Sequence, residues 1–330
     1  MKSIKYILIS IIALFLFNSC EYEIDYKGDL PKDKLVVSSF IEADSVISFS
    51  LFTSAKPGTF MQNDFDSPFK SNKSQSYSSV SNAKAELYIN GNLKQTLNGG
   101  TDLNAYKFSV IPQANEKVEI RISYKDYEEA VGFAELNLQK PAVDSANILV
   151  QQSITDSLYT EPIYRVVVYL EIRDNGGDNY YQIDPNIYYE NMFENLKLSL
   201  IDSELLWESI AGVYQEASAN FQSSSNRFGV ISNKLFKGKT YKVKIAIPIQ
   251  SWQMEFNKKG KGKIKGSLNL SAIDKKSYNY LFTLNRYYNA AFMNEPVIII
   301  DGVENAYGFI GAKSTLKAYI INFDFDDYEK

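Results

Sequence analysis

Residues 83–97, AKAELYINGNLKQTL, restrict the fold of this chain more than any other stretch. Ala83–Ile89 alternates apolar with polar residues, which a pleated strand places on opposite faces. Asn90-Gly91 follows at once, and both residues tolerate the positive φ of a type I′ turn, the two-residue turn whose twist suits a hairpin. Leu93–Leu97 is the return strand. The pattern recurs on both sides. Leu35–Ile41 (LVVSSFI) and Val46–Phe52 (VISFSLF) are rich in β-branched and aromatic residues, and Glu42–Ser45 can turn the chain between them. Tyr106–Val110, Lys117–Tyr124 and Ala130–Leu138 continue at a spacing of about ten residues, the rhythm of a β-sandwich. Lys140-Pro141 punctuates the series. Residues 34–140 are expected to form an immunoglobulin-like or transthyretin-like β-sandwich.

At 330 residues the chain exceeds one typical hydrophobic core, so a second β-rich unit is expected over 141–330, a sandwich or partly open barrel. Its strands read as Ile163–Ile172, Tyr180–Ile183, Leu196–Ile201, Phe228–Ile231, Tyr241–Pro248 and Lys263–Leu270. Val297–Ile300 reads as a buried-type strand, and Gly308–Ala312 and Lys317–Phe323 finish the unit. One helix interrupts them at about 274–292. Asp274 is its expected N-cap, and Tyr278, Leu281, Phe282, Asn285, Tyr288 and Phe292 recur at helical spacing, the pattern of a core stripe over a sheet.

Composition excludes several functions. Apolar residues at 45% and charged residues at 22% fit a folded chain. A net charge of −4 argues against nucleic-acid binding, which needs a basic face to displace counterions from phosphates. Histidine is absent, which removes Ser-His-Asp and Cys-His catalysis and the usual zinc sites. Aromatics reach 14%, with 24 tyrosines. Tyrosine-rich surfaces anchor partners and stack on sugars; β-rich cores also favour aromatics, which is the simpler account.

The N-terminal residues carry the clearest address. Lys2 and Lys5 precede an apolar run, Ile7–Phe17, of 11 residues. As a helix the run would be roughly 16 Å long, short of the ~30 Å hydrocarbon core, so it reads as a signal-peptide segment rather than a span. Phe17-Asn18-Ser19-Cys20 then resembles a bacterial lipobox, although Phe17 and Asn18 depart from the usual pattern. Residues 1–19 are expected to be removed and Cys20, the only cysteine, acylated. Thioether formation consumes that thiol, so it is no nucleophile, and palmitate-type chains on it anchor firmly. Glu21, Glu23 and Asp25 follow, in a tether spanning 20–33. They resemble the acidic signal that sends lipoproteins of the Bacteroidota to the cell surface, which is the favoured reading over a plain flexible tether.

Three loops invite a ligand. Residues 54–82 form a long, serine-rich segment carrying Phe60, Phe65, Phe69 and Tyr77, which could contact a glycan or a partner protein, although the serine content favours a floppy insertion. Asp174–Asn179 (DNGGDN) has the oxygens and glycines of a calcium loop. It lacks the D-x-D-x-D-G spacing and the downstream bidentate Glu, so a hairpin turn is the favoured reading. Lys258, Lys259 and Lys261, with Lys263 and Lys265 beyond them, could meet lipid phosphates or an acidic glycan, or simply solubilise a hairpin tip.

The order of SCEYEIDY, LVVSSFIEADSVISFSL, VSNAKAELYINGNLKQTL, LFKGKTYKVKI and NAYGFIGA resembles a family of Bacteroidota lipoproteins, the domain-of-unknown-function family numbered 4249. In the family these correspond to a lipobox with an acidic tail, a strand pair, an N-G hairpin, an F-x-G-k-x-Y strand start and a closing G-x-F-g-A segment. Here Asp301–Gly308 stands where the family usually has N-I-x-G-G, and the 54–82 insertion looks long. Members are often encoded beside TonB-dependent, SusC-like receptors. The resemblance implies a surface-exposed, lipid-anchored outer-membrane lipoprotein acting as a binding or docking subunit of such a barrel complex. It transfers no catalytic residue.

A structural scaffold without a soluble ligand is the alternative. An enzyme is not expected, nor a cofactor or metal. Without histidine the realistic chemistry is glycoside hydrolysis by two carboxylates. The neighbours Asp64/Asp66, Asp202/Glu204 and Asp324/Asp326/Asp327 are the candidates, all in apparent loops or tails. The ligand is left open between glycan and peptide.

Overall fold

The computed structural model describes residues 33–54, 79–100, 105–153, 163–190, 195–198, 204–208, 214–216, 228–249, 263–290, 299–316 and 319–324. The chain is mainly β, built from several sheets with no closed barrel and one α-helix among the described residues. β1 (Leu35–Ile41) and β2 (Ser48–Thr53) pair antiparallel, with Val37 opposite Leu51. Leu35, Val37 and Ile41 are buried while Ser38 is exposed, as an alternating strand with one buried face requires. β3 (Lys84–Ile89) and β4 (Asn92–Leu97) form the expected hairpin, and Asn90 and Gly91 take the positive φ angles of 52° and 79°. Asn90 also ties the turn to the next strand: its Oδ1 accepts the Lys117 N–H at 2.9 Å. β5 (Ala105–Lys107), β6 (Lys117–Ser123) and β7 (Ala130–Glu135) complete this part, and β4-β3-β6-β7 is a four-stranded antiparallel sheet.

The remaining elements are β8 (Ala142–Ser153), β9 (Ile163–Arg173), β10 (Tyr180–Glu190), β11 (Asn195–Leu198), β12 (Glu204–Glu208), β13 (Tyr214–Glu216), β14 (Val230–Ser232), β15 (Thr240–Ile249), β16 (Lys263–Ile273), the helix α1 (Lys275–Ala290), β17 (Ala306–Thr315) and β18 (Tyr319–Asp324). β13-β12-β15-β9-β8 is a five-stranded sheet. A nine-stranded sheet runs β11-β10-β16-β17-β1-β2-β5, with β14 also on β10 and β18 also on β16.

β17 is the join. Its Ala306–Ala312 segment lies parallel to β1 in register with Leu35–Ile41, and Lys313–Thr315 then pairs antiparallel with Ser271–Ile273 of β16. The outer edge of β1 would otherwise present unpaired N–H and C=O groups. One core cluster holds Leu35 and Leu51 from one layer, Leu87 and Ile120 from the other, and Ile310 and Ala312 from β17. The core that begins in residues 34–140 therefore continues into the last strands. Each buried Leu, Ile or Val contributes about 1.5–3 kcal/mol, so β17 is a substantial part of what holds the sandwich closed.

Two details of the sequence reading are corrected. Phe282 is exposed, stacked on Tyr278, because the buried face of α1 is set by Ser277, Leu281 and Asn285. Ile300, read as the end of a buried strand, is 49% exposed and lies outside any strand, while residues 297–298 fall outside the described residues. Its N–H donates to Thr283 Oγ1 at 3.1 Å, so the segment leans on the helix instead of a sheet.

Candidate functional site

Most residues singled out from sequence lie outside the described residues: Cys20, Glu21, Glu23 and Asp25; Phe60, Phe65, Phe69 and Tyr77; Lys258, Lys259 and Lys261. The same holds for Asp64, Asp66, Asp202, Asp326 and Asp327, while Glu204 opens β12 and Asp324 closes β18. Each of these groups has at most one member among the described residues. No group of three or more His, Cys, Asp or Glu able to hold a metal occurs among the described residues.

The DNGGDN loop is where the described part builds its densest polar site. Asp174 is 5% exposed. Its Oδ2 accepts the N–H of Gly176 at 3.0 Å and of Gly238 at 2.6 Å. Its Oδ1 accepts Asn179 Nδ2 at 2.8 Å, the Tyr181 hydroxyl at 2.8 Å and Asn233 Nδ2 at 3.0 Å. Five donors use up the acceptor capacity of a carboxylate, leaving no lone pairs for a cation. Burial pushes the Asp174 carboxyl up, but the hydrogen bonds from Gly238, Asn179, Tyr181 and Gly176 outweigh it and hold the group below its ordinary value. Burial, reinforced by Asp174, pushes the Tyr181 phenol far up. The hairpin-turn reading is corrected: β9 and β10 lie in different sheets, so the loop is a crossover between sheets, and Asp174 ties it to residues 233–238. Phe236 completes the tie, fully buried and packed against Tyr241 at 4.8 Å between ring centres. The F-x-G-k-x-Y signature is therefore this knot, with Phe236 and Tyr241 as its rings and Gly238 as the donor.

A second carboxylate organises the join. Asp274 caps α1, its Oδ1 accepting the Ser277 N–H at 2.9 Å, while Oδ2 accepts the Ala312 N–H of β17 at 3.1 Å. Gly311 makes this approach feasible, since a Cβ there would lie 1.8 Å from Ser277 Oγ. Gly308 is more constrained still: φ is +112° and a Cβ would meet the Val37 carbonyl oxygen at 1.8 Å. The closing G-x-F-g-A signature is thereby explained as backbone close approach. Lys276 pins the first turn of the helix to β7, donating to the Phe133 carbonyl at 2.5 Å with its ammonium 3.5 Å from the centre of the Phe133 ring. Burial holds that ammonium below its ordinary pKa.

The surface beside the helix presents an aromatic row. Tyr180 and Tyr278 meet at a tilt, 4.7 Å between ring centres, both half-buried against the core, and Phe282 stacks on Tyr278 at 5.5 Å with its outer side exposed. Exposed Ile300 lies against the same helix, and exposed Leu235 follows β14, on which the helix packs. Sequence reading placed Tyr278 and Phe282 in the core stripe; Tyr278 does pack against Val230, Ile273, Leu281 and Phe309, whereas Phe282 is exposed.

A comparison with curated proteins finds no match. Among solved structures, a biofilm-associated protein BSP domain aligns with a TM-score of 0.22 and 11% identity, over 86% of this chain and 58% of that one. A putative membrane-anchored protein from Corynebacterium diphtheriae gives 0.22 and 10%, over 74% and 55%. A β-glucuronidase from glycoside hydrolase family 2 gives 0.21 and 10%, over 74% of this chain and 19% of that one. The chain thus spans less than two thirds of each of these three, and at such scores they carry no argument about it. The sequence model of one family matches residues 19–318, nearly the whole chain and all three of the signatures whose physical roles are now visible. The chain belongs to that family, described as Domain of unknown function (DUF4249).

Proposed function

We propose that this protein is a lipid-anchored outer-membrane lipoprotein, of the kind found in Bacteroidota, that serves as a binding or docking subunit of a TonB-dependent, SusC-like barrel complex. The observation that carries the reading is the N-terminal order: a basic start, an apolar run too short to span, Cys20, then Glu21, Glu23 and Asp25. Acylation of Cys20 holds the β-rich body at the membrane, and the acidic residues direct it to the cell surface. The role is recognition rather than chemistry. The chain has no histidine, and the buried Asp174 and the partly buried Asp274 are occupied by structural hydrogen bonds. The row of Tyr180, Tyr278 and Phe282 supports a docking role, because aromatics supply contact area at low entropic cost.

Two measurements test this. Metabolic labelling with palmitate should mark the protein, and Cys20→Ala should abolish the label and release the chain from membranes; labelling that survives the substitution overturns the anchor. Extraction in mild detergent followed by affinity purification should recover a barrel protein with the wild type, and recovery of the chain alone overturns the docking role.

A further inference from the structure

We propose that Asn98 is a self-modification site, at which the folded chain converts an asparagine into aspartate and isoaspartate through a succinimide. The chemistry needs an asparagine followed by a glycine, whose missing Cβ leaves the next backbone nitrogen open to attack. The chain has three such pairs, Asn90-Gly91, Asn98-Gly99 and Asn175-Gly176. All three asparagines are exposed, so access of water does not separate them. Their hydrogen bonds do.

Ring closure requires the asparagine Cγ to swing onto the nitrogen of the following glycine. A bond that holds the side chain, or that N–H, opposes the swing. Asn90 is tied to Lys117: its Oδ1 accepts the Lys117 N–H at 2.9 Å, and its own N–H donates to the Lys117 carbonyl at 2.8 Å. Asn175 is held at both ends of its amide, with Nδ2 donating to Gln139 Oε1 at 2.6 Å and Oδ1 accepting Asn179 Nδ2 at 2.7 Å. The Gly176 N–H is engaged as well, by Asp174. Asn98 has no such restraint. Among the described residues neither its side chain nor the Gly99 N–H makes a hydrogen bond, and the pair follows the end of β4, outside the ladder.

The Gly99 nitrogen attacks Asn98 Cγ, a C–N bond forms, and the Cγ–Nδ2 bond breaks. Ammonia leaves, carrying the proton that the Gly99 nitrogen gives up. Water then opens the ring at either carbonyl, giving aspartate by one route and isoaspartate, with an extra backbone atom, by the other. That atom enters just before a tight approach. A Cβ on Gly99 would lie 3.1 Å from the Ser81 carbonyl oxygen, and the Gly100 N–H donates to the same oxygen at 2.7 Å. The change therefore loosens the tie between the end of β4 and residues 80–83, where the Tyr106 hydroxyl bridges the Val80 carbonyl and the Ala83 N–H.

Incubation of the detergent-solubilised full chain in mildly alkaline buffer, followed by brief tryptic digestion and mass spectrometry, tests this. Cleavage after Lys84, Lys94, Lys107, Arg173 and Lys197 puts each pair in its own peptide. Asn98 should gain the mass of an amide-to-acid exchange first. Asn90 is expected to react about fivefold more slowly, the effect of one net hydrogen bond, and Asn175 more slowly again. Unfolding in urea should bring the three rates together. Gln139→Ala should speed Asn175 and leave Asn98 unchanged, and Asn98→Gln should abolish the gain in its peptide. Hydrogen exchange at Gly100 should be faster in the aged wild type than in equally aged Asn98→Gln; equal exchange would overturn the loosening. Modification of Asn90 or Asn175 as fast as Asn98 in the folded chain, or an Asn98 that reacts only when unfolded, would overturn the site.

Discussion

The β3–β4 hairpin and the β1–β17 pair are both strand pairs sealed near a glycine, and they bear their loads differently. Gly91 sits in a two-residue turn with nothing within 4 Å of a Cβ placed on it. Gly308 lies against Val37 in a pairing that joins Leu35 to Ala306, almost opposite ends of the described chain. The hairpin closes a short loop at small entropic cost, and local sequence is enough to specify it. The parallel pair joins segments far apart in the chain, at a larger loop-closure cost, and is held by tight backbone contact rather than by a turn. A fold can therefore tolerate error at the first and little at the second.

That contrast can be broken or sharpened by substitution. The largest effect is expected from Gly308→Ala, which combines a forbidden φ with a collision against backbone that cannot yield. A loss of about 4 kcal/mol or more, or failure to fold, should appear in denaturant unfolding. A loss below about 1 kcal/mol would show that β17 is not what closes the sandwich. Asp174→Asn comes next, at about 2–4 kcal/mol, since an amide turns donors against the N–H groups of Gly176 and Gly238. This effect depends on pH. The carboxyl is held low in the folded chain, so its stabilisation is present above the unfolded value of about 3.9 and fades as pH falls through the folded value. The gap between wild type and variant should therefore narrow in acid, and a gap that widens would contradict an ionised Asp174.

Gly311→Ala should cost about 1–3 kcal/mol through overpacking against Ser277. Ser277 Oγ is buried without a hydrogen-bond partner, so adding Ser277→Ala should recover part of the loss. Thermal melting of the single and double variants measures the recovery, and strict additivity would place the strain elsewhere. The smallest effect belongs to Gly91→Ala, about 1 kcal/mol from the left-handed backbone alone. A loss comparable to that of Gly308→Ala would erase the distinction between turn and join.

Strands with clean alternation were legible: Leu35–Ile41, Lys84–Ile89 and Lys117–Ser123 occur where their patterns place them, and Asp274 caps the helix it announces. Phe282 was misread because helical spacing records which residues share a face but not how wide the buried stripe will be. The Asp174 knot was half legible. Its loop was recognisable as a break between strands but not as a crossover between two sheets, and the donors from Asn233 and Gly238 arrive from a distant segment that no local pattern connects to it.

The sequence by itself determined the β character of this chain, the hairpin at Asn90-Gly91, the helix beginning after Asp274 and the order of motifs that marks its family. These follow from alternation, turn chemistry and capping, which act over a few residues. Only the tertiary structure decided that β17 closes the first sandwich, and why Gly238, Gly308 and Gly311 stand where they do. Those choices depend on which distant backbones approach one another, a matter settled by burial of a shared core and satisfaction of a strand edge rather than by neighbours in the chain.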